Sequence, residues 1–284
     1  MNSSSRPGVG HLRPMRFGPA FAALCILASC SAPGFYAAPR YGTSLAVAGS
    51  LGITEGAPPT GVENTVDELG VGGNDGYYGG RLGLEMGSVH LMLTTQSSVH
   101  EGAGQLAVGI GDGGAVIAED AFVETDFHFG LHRLLLTFDV IPEGNVRLGL
   151  GLGATSLAFD MAIDEFELDE FDGETLIPTG VRIEAASDAP LPVLGLRFAA
   201  IFGRFSIALD LSGKDIDIGG DQLSFMDAGI EGTLRLLPEQ SRAHFALLGG
   251  YRYTSIGLSA DTGESLVHTD VSFSGPFIGL GPSF

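Results

Sequence analysis

No apolar run in this chain reaches the roughly 18 residues that a membrane helix needs, yet one apolar design recurs along its length. The clearest copy is Val146 to Phe159, VRLGLGLGATSLAF. Val146, Leu148, Leu150 and Leu152 fall on one parity, while Arg147, Gly149, Gly151, Gly153 and Thr155 fall on the other. Successive side chains of a strand point to opposite faces, so the segment predicts a strand with one apolar face and one face of small residues. The Gly-Leu-Gly-Leu-Gly run at 149–153 is no phosphate loop, because it sits inside a strand and no helix follows it.

The same alternation predicts nine further strands, over 41–53, 76–86, 89–97, 122–141, 191–200, 204–216, 222–237, 243–259 and 266–284. Gly87-Ser88 between two of them is a hairpin turn. Two strands break phase. In the fourth, Phe127, Phe129 and Leu131 share one parity, but Leu134, Leu136, Phe138 and Val140 share the other, which predicts a bulge near Leu131–Arg133. The last strand changes phase at Gly275-Pro276. Connections at 87–88, 142–145, 202–203 and 238–242 are short, and those between them are mostly longer. The connection at 164–189 is the longest, and 217–221 is short where a long one is expected. The expected fold is all-β: an antiparallel up-and-down transmembrane barrel of about ten strands, eight being the alternative. One rim carries short turns and the other carries acidic loops.

Alternation does not say which face is inside. A lipocalin-type barrel turns its apolar face inward, and a lipid-anchored periplasmic barrel of that kind, binding an apolar ligand, is the alternative. Two features favour the opposite sense. The non-apolar face is built from Gly, Ala, Ser and Thr, and the chain has 44 Gly but only 14 Lys and Arg, with a mean hydropathy of +0.27. That face also carries Arg81, Glu85, Arg147, Arg197, Asp210, Asp227, Glu231, Arg235 and Arg252, with Arg133, Asp139, Arg204 and Lys214 on the same parity. A charge facing lipid at mid-bilayer costs about 2–4 kcal/mol, so these residues are expected to line a narrow lumen and to pair across it. The expected role is a structural or small-solute and ion-passage barrel with a mostly closed interior.

The first 29 residues read as a secretory signal: Arg6, Arg13 and Arg16 precede an apolar run from Phe17 to Ala28. Leu27-Ala28-Ser29-Cys30 resembles the lipobox of bacterial lipoproteins. That resemblance implies lipidation of Cys30, cleavage before it and, with Ser31 following, sorting to the outer membrane. An ordinary signal cleaved after Ala38 is the other possibility. Residues 30–40 then form a linker to the barrel. Removing the leader takes three Arg and no acid, leaving 11 Lys and Arg against 34 Asp and Glu, a formal charge of −23. Such a surface repels nucleic acid.

The whole of residues 41–284 resembles a small bacterial outer-membrane β-barrel of the OmpA/OmpX/OmpW-like kind. The final strand ends in Phe284, as strands recognised by the outer-membrane insertion machinery do. The resemblance implies that machinery and the outer-membrane lipids as partners. No Trp is present, so Tyr41, Tyr78, Tyr251 and Tyr253 are left to form the aromatic girdle.

Candidate chemistry is thin. Asp164, Glu165, Glu167, Asp169, Glu170, Asp172 and Glu174 lack the residue order of a calcium loop and read as a solvated external loop. His128 and His132 would lie about 13 Å apart along a strand, too far to share a metal ion. His90, His244 and His268 could serve as bases, but no nucleophile motif surrounds them. The expectation is therefore no catalytic residue, no metal, no cofactor and no enzymatic activity.

Overall fold

A computed structural model describes residues 34–55, 63–72, 74–112, 115–141, 144–168, 175–218, 221–236, 244–261 and 265–283. Thirteen strands occur there: β1 (Gly34–Glu55), β2 (Asn64–Thr65), β3 (Asn74–Met86), β4 (Val89–Gln105), β5 (Ile110–Asp112), β6 (Ala115–Ile117) and β7 (Phe122–Ile141), then β8 (Val146–Leu168), β9 (Leu176–Phe202), β10 (Phe205–Ile218), β11 (Asp221–Arg235), β12 (His244–Asp261) and β13 (Ser265–Ser283). Ten of them pair antiparallel in the order β1-β3-β4-β7-β8-β9-β10-β11-β12-β13, and β13 pairs back onto β1. The ring is closed, as the alternation implied. β2 lies on the edge of β1, and β5 and β6 form a separate hairpin.

Following paired residues around the ring from Tyr41 leads to Asp188 of β9 in one direction and to Ala200 in the other. That stagger of twelve residues over ten strands corresponds to a strand tilt of about 40°, given about 3.3 Å per residue and about 4.8 Å between strands. The value lies within the usual range for closed barrels. Both chain ends of the ring lie at one rim, where Tyr36 faces Ser283, and the short turns are at the same rim. Gly87 in the two-residue turn has φ +62°, which suits the hairpin turn expected there.

The outer surface is apolar near this rim. Phe35, Phe202, Phe205 and Phe245 are exposed next to it; Tyr41 and Tyr251 are exposed six residues beyond Phe35 and Phe245 on their strands, with Tyr78 beside Tyr41. Tyr41 and Tyr78 pack with ring centroids 5.2 Å apart. With the tilt above, these two aromatic levels are about 15 Å apart, within the height of a lipid-facing band.

Beyond that band both faces change character together. On β7 the outward residues are Glu124, Asp126, His128 and His132, followed by Leu134, Phe138 and Val140. The inward residues are Val123, Phe129 and Leu131, followed by Arg133, Thr137 and Asp139. Inward parity never changes along β7, and its pairing with β8 runs unbroken from Phe122 to Asp139. The bulge expected near Leu131–Arg133 is therefore absent. What looked like a phase change is a simultaneous inversion: polar inside and apolar outside within the band, apolar inside and polar outside beyond it. β13 behaves alike, since its register with β12 is continuous through Gly275-Pro276, with Phe273 and Phe277 inward and Ile278 and Leu280 outward. The register slips lie elsewhere: between Asp139 and Ile141 of β7, between Asp164 and Phe166 of β8, and after Gly42 of β1 against both neighbours, where Tyr41 is outside and Val47 inside.

Two connections fold into the apolar end of the ring. Val66, Leu69 and Val71 follow β2, while Leu106, Ile110 and Ile117 come from the segment bearing β5 and β6; all join Phe129, Leu131, Ile163, Phe225 and Phe273 in one core. Asn64 ties the two segments together. Its Oδ1 accepts from the amides of Ala107 (2.8 Å) and Val108 (2.9 Å), and its Nδ2 donates to the Val108 carbonyl (2.7 Å). Residues 68–70 press on β4 so closely that a Cβ on Gly102 or Gly104 would lie about 2 Å from the carbonyl oxygen of Gly70 or Glu68.

Other segments also differ from expectation. Residues 34–40, expected in a linker, are the first part of β1. The long loop at 164–189 is mostly strand, because β8 runs to Leu168 and β9 starts at Leu176. β9 leaves β10 above the Leu194–Gly213 pair. Pro190 and Pro192 sit at that point and have no amide to give a ladder, which confines proline to sheet edges. The separation begins where Leu194, 60% exposed, ends the apolar belt.

Gly149, Gly151 and Gly153 of β8 face inward beside Thr137 and Leu135 of β7. A Cβ at Gly151 would lie 2.4 Å from the Leu136 carbonyl oxygen, whereas at Gly229 nothing comes nearer than 3.9 Å. Gly151→Ala is expected to destabilise the barrel by about 1–3 kcal/mol, read as a lower temperature for the heat-induced shift on gels. Gly229→Ala should fall within about 0.5 kcal/mol of the parent.

Candidate functional site

Within the apolar band the lumen is filled with ion pairs. Arg81 on β3 reaches Asp210 on β10 (3.1 Å) and Glu231 on β11 (3.2 Å). β3 and β10 are five strands apart in either direction, so the first contact crosses the full ring. Arg40 on β1 also pairs with Glu231 and lies 4.6 Å from the Phe277 ring centre. Arg133 on β7 pairs with Asp227 on β11 and donates to Ser212 (2.7 Å). Arg252 donates to both oxygens of Asp227 (2.7 and 3.0 Å), and Thr254 adds a third donor at 2.9 Å. Nearer the turn rim, Glu85 takes Arg197 (3.1 Å) and Arg147 (3.4 Å). His90 lies between Glu85 (3.3 Å) and Asp139 (2.7 Å).

Asp227, Glu231 and Glu85 are thus each shared by two arginines. Arg81 is 4% exposed and Asp227 1%, so these charges are held away from water. Burial of this kind is tolerable only when partners replace the lost hydration. Three devices supply them: arginine's fork, which can serve two acids; carboxylates that accept from two sides; and flanking hydroxyls at Ser212 and Thr254.

Of the nine residues expected in the lumen, eight make these pairs. Arg235 lies on the inward side of β11 at the rim of a cavity and has no acid partner among the described residues. Arg204 is exposed in the turn before β10, and Lys214 is exposed past the end of the β9–β10 pairing. Arg40 was missed because Pro39 made its segment resemble a linker. Its parity, shared with Ala38 and Gly42, carried the signal. His90, a candidate base in the sequence, is instead a member of the ion-pair cluster beside Glu85 and Asp139.

The remaining candidates disperse. His128 and His132 are exposed on the outer face of β7. His244 and His268 lie toward opposite ends of the β12–β13 pair, opposite Ser283 and Ser259. Asp164 pairs with Arg182 (2.6 Å), which also bonds Glu184 (2.7 Å). These two acids hold the Arg182 guanidinium above its ordinary pKa. Asp169, Glu170, Asp172, Glu174, Cys30 and Phe284 lie outside the described residues, and among the described residues no cluster could hold a metal ion.

No family model and no curated protein matches the chain in sequence. Its structure is similar to the outer membrane protease OmpT from Escherichia coli, with a TM-score of 0.50 and 10% identity, over 88% of this chain and 96% of that one. Others matched are the Pseudomonas putida toluene transporter TodX (TM-score 0.30, 10% identity, 92% and 91% covered) and a Pseudomonas aeruginosa FadL homologue (TM-score 0.30, 7% identity, 89% and 90% covered). The chain has the fold of an integral outer-membrane β-barrel. One expectation is corrected here. The absence of a nucleophile motif around the histidines does not exclude enzymatic activity, because a barrel of this fold is a protease.

Asp227→Ala strips the shared partner from Arg133 and Arg252. It is expected to lower unfolding free energy by about 3–5 kcal/mol, the cost of leaving buried charge uncompensated. Asp164→Ala, at an exposed pair, should change it by less than about 1 kcal/mol. Denaturant titration of the detergent-solubilised barrel compares the two.

Proposed function

We propose that the protein is a closed outer-membrane barrel of the structural or small-solute type, a plain role like that implied by the likeness to OmpA/OmpX/OmpW-like barrels. The observation that carries this is the contact of Arg81 with Asp210 and Glu231 across the whole ring. With Arg133–Asp227 and the Asn64-tied segments above it, the lumen holds two successive barriers, one of ion pairs and one of apolar side chains. An ion crossing it would have to displace both. In planar bilayers the parent protein should show rare, small current steps, while Arg81→Ala/Arg133→Ala should raise conductance several-fold. Large, steady openings of the parent would overturn this function.

The same proposal includes a lipid anchor at Cys30 on the periplasmic side and insertion through the strand ending at Phe284. The start of β1 at Gly34, on the rim that carries the turns, leaves Cys30 a short tether to that rim. The alternative, a lipid-tethered soluble barrel binding an apolar ligand, is disfavoured by the exposed Leu150, Leu152, Leu194 and Ile278. Cys30→Ala should leave the protein in the carbonate-washed membrane pellet and heat-modifiable on gels. Release into the soluble fraction would instead favour the tethered barrel.

A further inference from the structure

The ion pairs do not balance. Facing the lumen within the band are Arg40, Arg81, Arg133, Arg147, Arg197, Arg235 and Arg252 against Glu85, Asp139, Asp210, Asp227 and Glu231. A chain that carries a formal charge of −20 overall therefore concentrates a positive excess at one place. That excess borders a cavity of about 370 Å³ at the turn rim, lined among others by Arg81, Arg147, Arg197 and Arg235 with Glu85 and Glu231.

Both of these carboxylates are already committed. Glu85 is shared by Arg147 and Arg197, and Glu231 by Arg40 and Arg81. Arg147 sits 3.4 Å from Glu85, the longest of these pairs, and the Nε atoms of Arg81, Arg147 and Arg197 are buried without a hydrogen-bond acceptor. Arg235 has no acid partner among the described residues. Guanidinium groups lining a half-enclosed recess, with unused donors and too few acids, form a site for an oxyanion, whose oxygens accept their forked N–H pairs. The cavity volume admits such an ion with some of its water.

We propose that this vestibule binds a small oxyanion of the phosphate type, held by Arg147, Arg197 and Arg235 and entering from the turn rim. The inference does not depend on whether the lumen conducts. A free ion and a lipid headgroup offer the same phosphate chemistry, and two arms of one experiment separate them.

Inorganic phosphate is titrated calorimetrically into the full-length barrel, once in a phosphate-free sugar detergent and once in phosphatidylglycerol nanodiscs. Saturable binding in both arms is expected if the ion is free. Binding in detergent that vanishes in nanodiscs assigns the site to lipid phosphate. Arg235→Gln removes no partner from an acid, so the barrel should fold, which the gel shift checks. It is expected to weaken phosphate binding about tenfold, the loss of one charge-assisted contact. Adding Arg147→Gln should weaken it further, and Arg182→Gln, outside the vestibule, should leave it unchanged. No saturable binding in detergent, or binding indifferent to Arg235→Gln and Arg147→Gln, would overturn the proposal.

Discussion

In hydrocarbon a backbone amide or carbonyl without a partner costs several kcal/mol, and no water can replace the missing one. That constraint explains why β13 returns to β1 and why pairing is continuous through the apolar band. It also explains where pairing stops. β9 parts from β10 only past Leu194 and Gly213, where the outer surface turns polar and water can solvate the edge. Pro190 and Pro192 stand at that boundary and remove amides that a second sheet could otherwise capture.

Closure fixes the lumen's width, and width fixes its chemistry. A ten-stranded ring is a little wider than the eight-stranded kind that side chains just fill, so long arginines are needed to meet acids on the far wall. Sharing Asp227, Glu231 and Glu85 between pairs of arginines lets few acids hold many strands together, at the expense of electrical balance. Past the band the same ring becomes an ordinary barrel with a core, because its outer face is then in water and its inner face is covered by the segments that Asn64 joins.

Much of this was legible in residue order. The parity of Leu148, Leu150 and Leu152 against Arg147 and the glycines marked a lipid face and a lumen face. The parity of Arg81, Asp210, Asp227, Glu231 and Arg252 put them on one side. The switch at Leu131–Arg133 was also visible, but a single strand offers two explanations for it: a slipped register, or two environments in succession. Choosing between them requires the neighbouring strand, and the unbroken pairing of β7 with β8 supplies it.

By itself the sequence determined the architecture, since a period of two over long segments admits only strands, and an apolar face repeated ten times without a membrane helix admits little besides a closed sheet. The tertiary structure alone decided which charges meet. Arg81 and Asp210 are 129 positions apart in the chain and face each other only because four strands intervene on either side. It alone also brought Val66 and Leu106 into the ring, because inward folding of a loop depends on the space that the opposite wall leaves, and local order along the chain carries no record of that space.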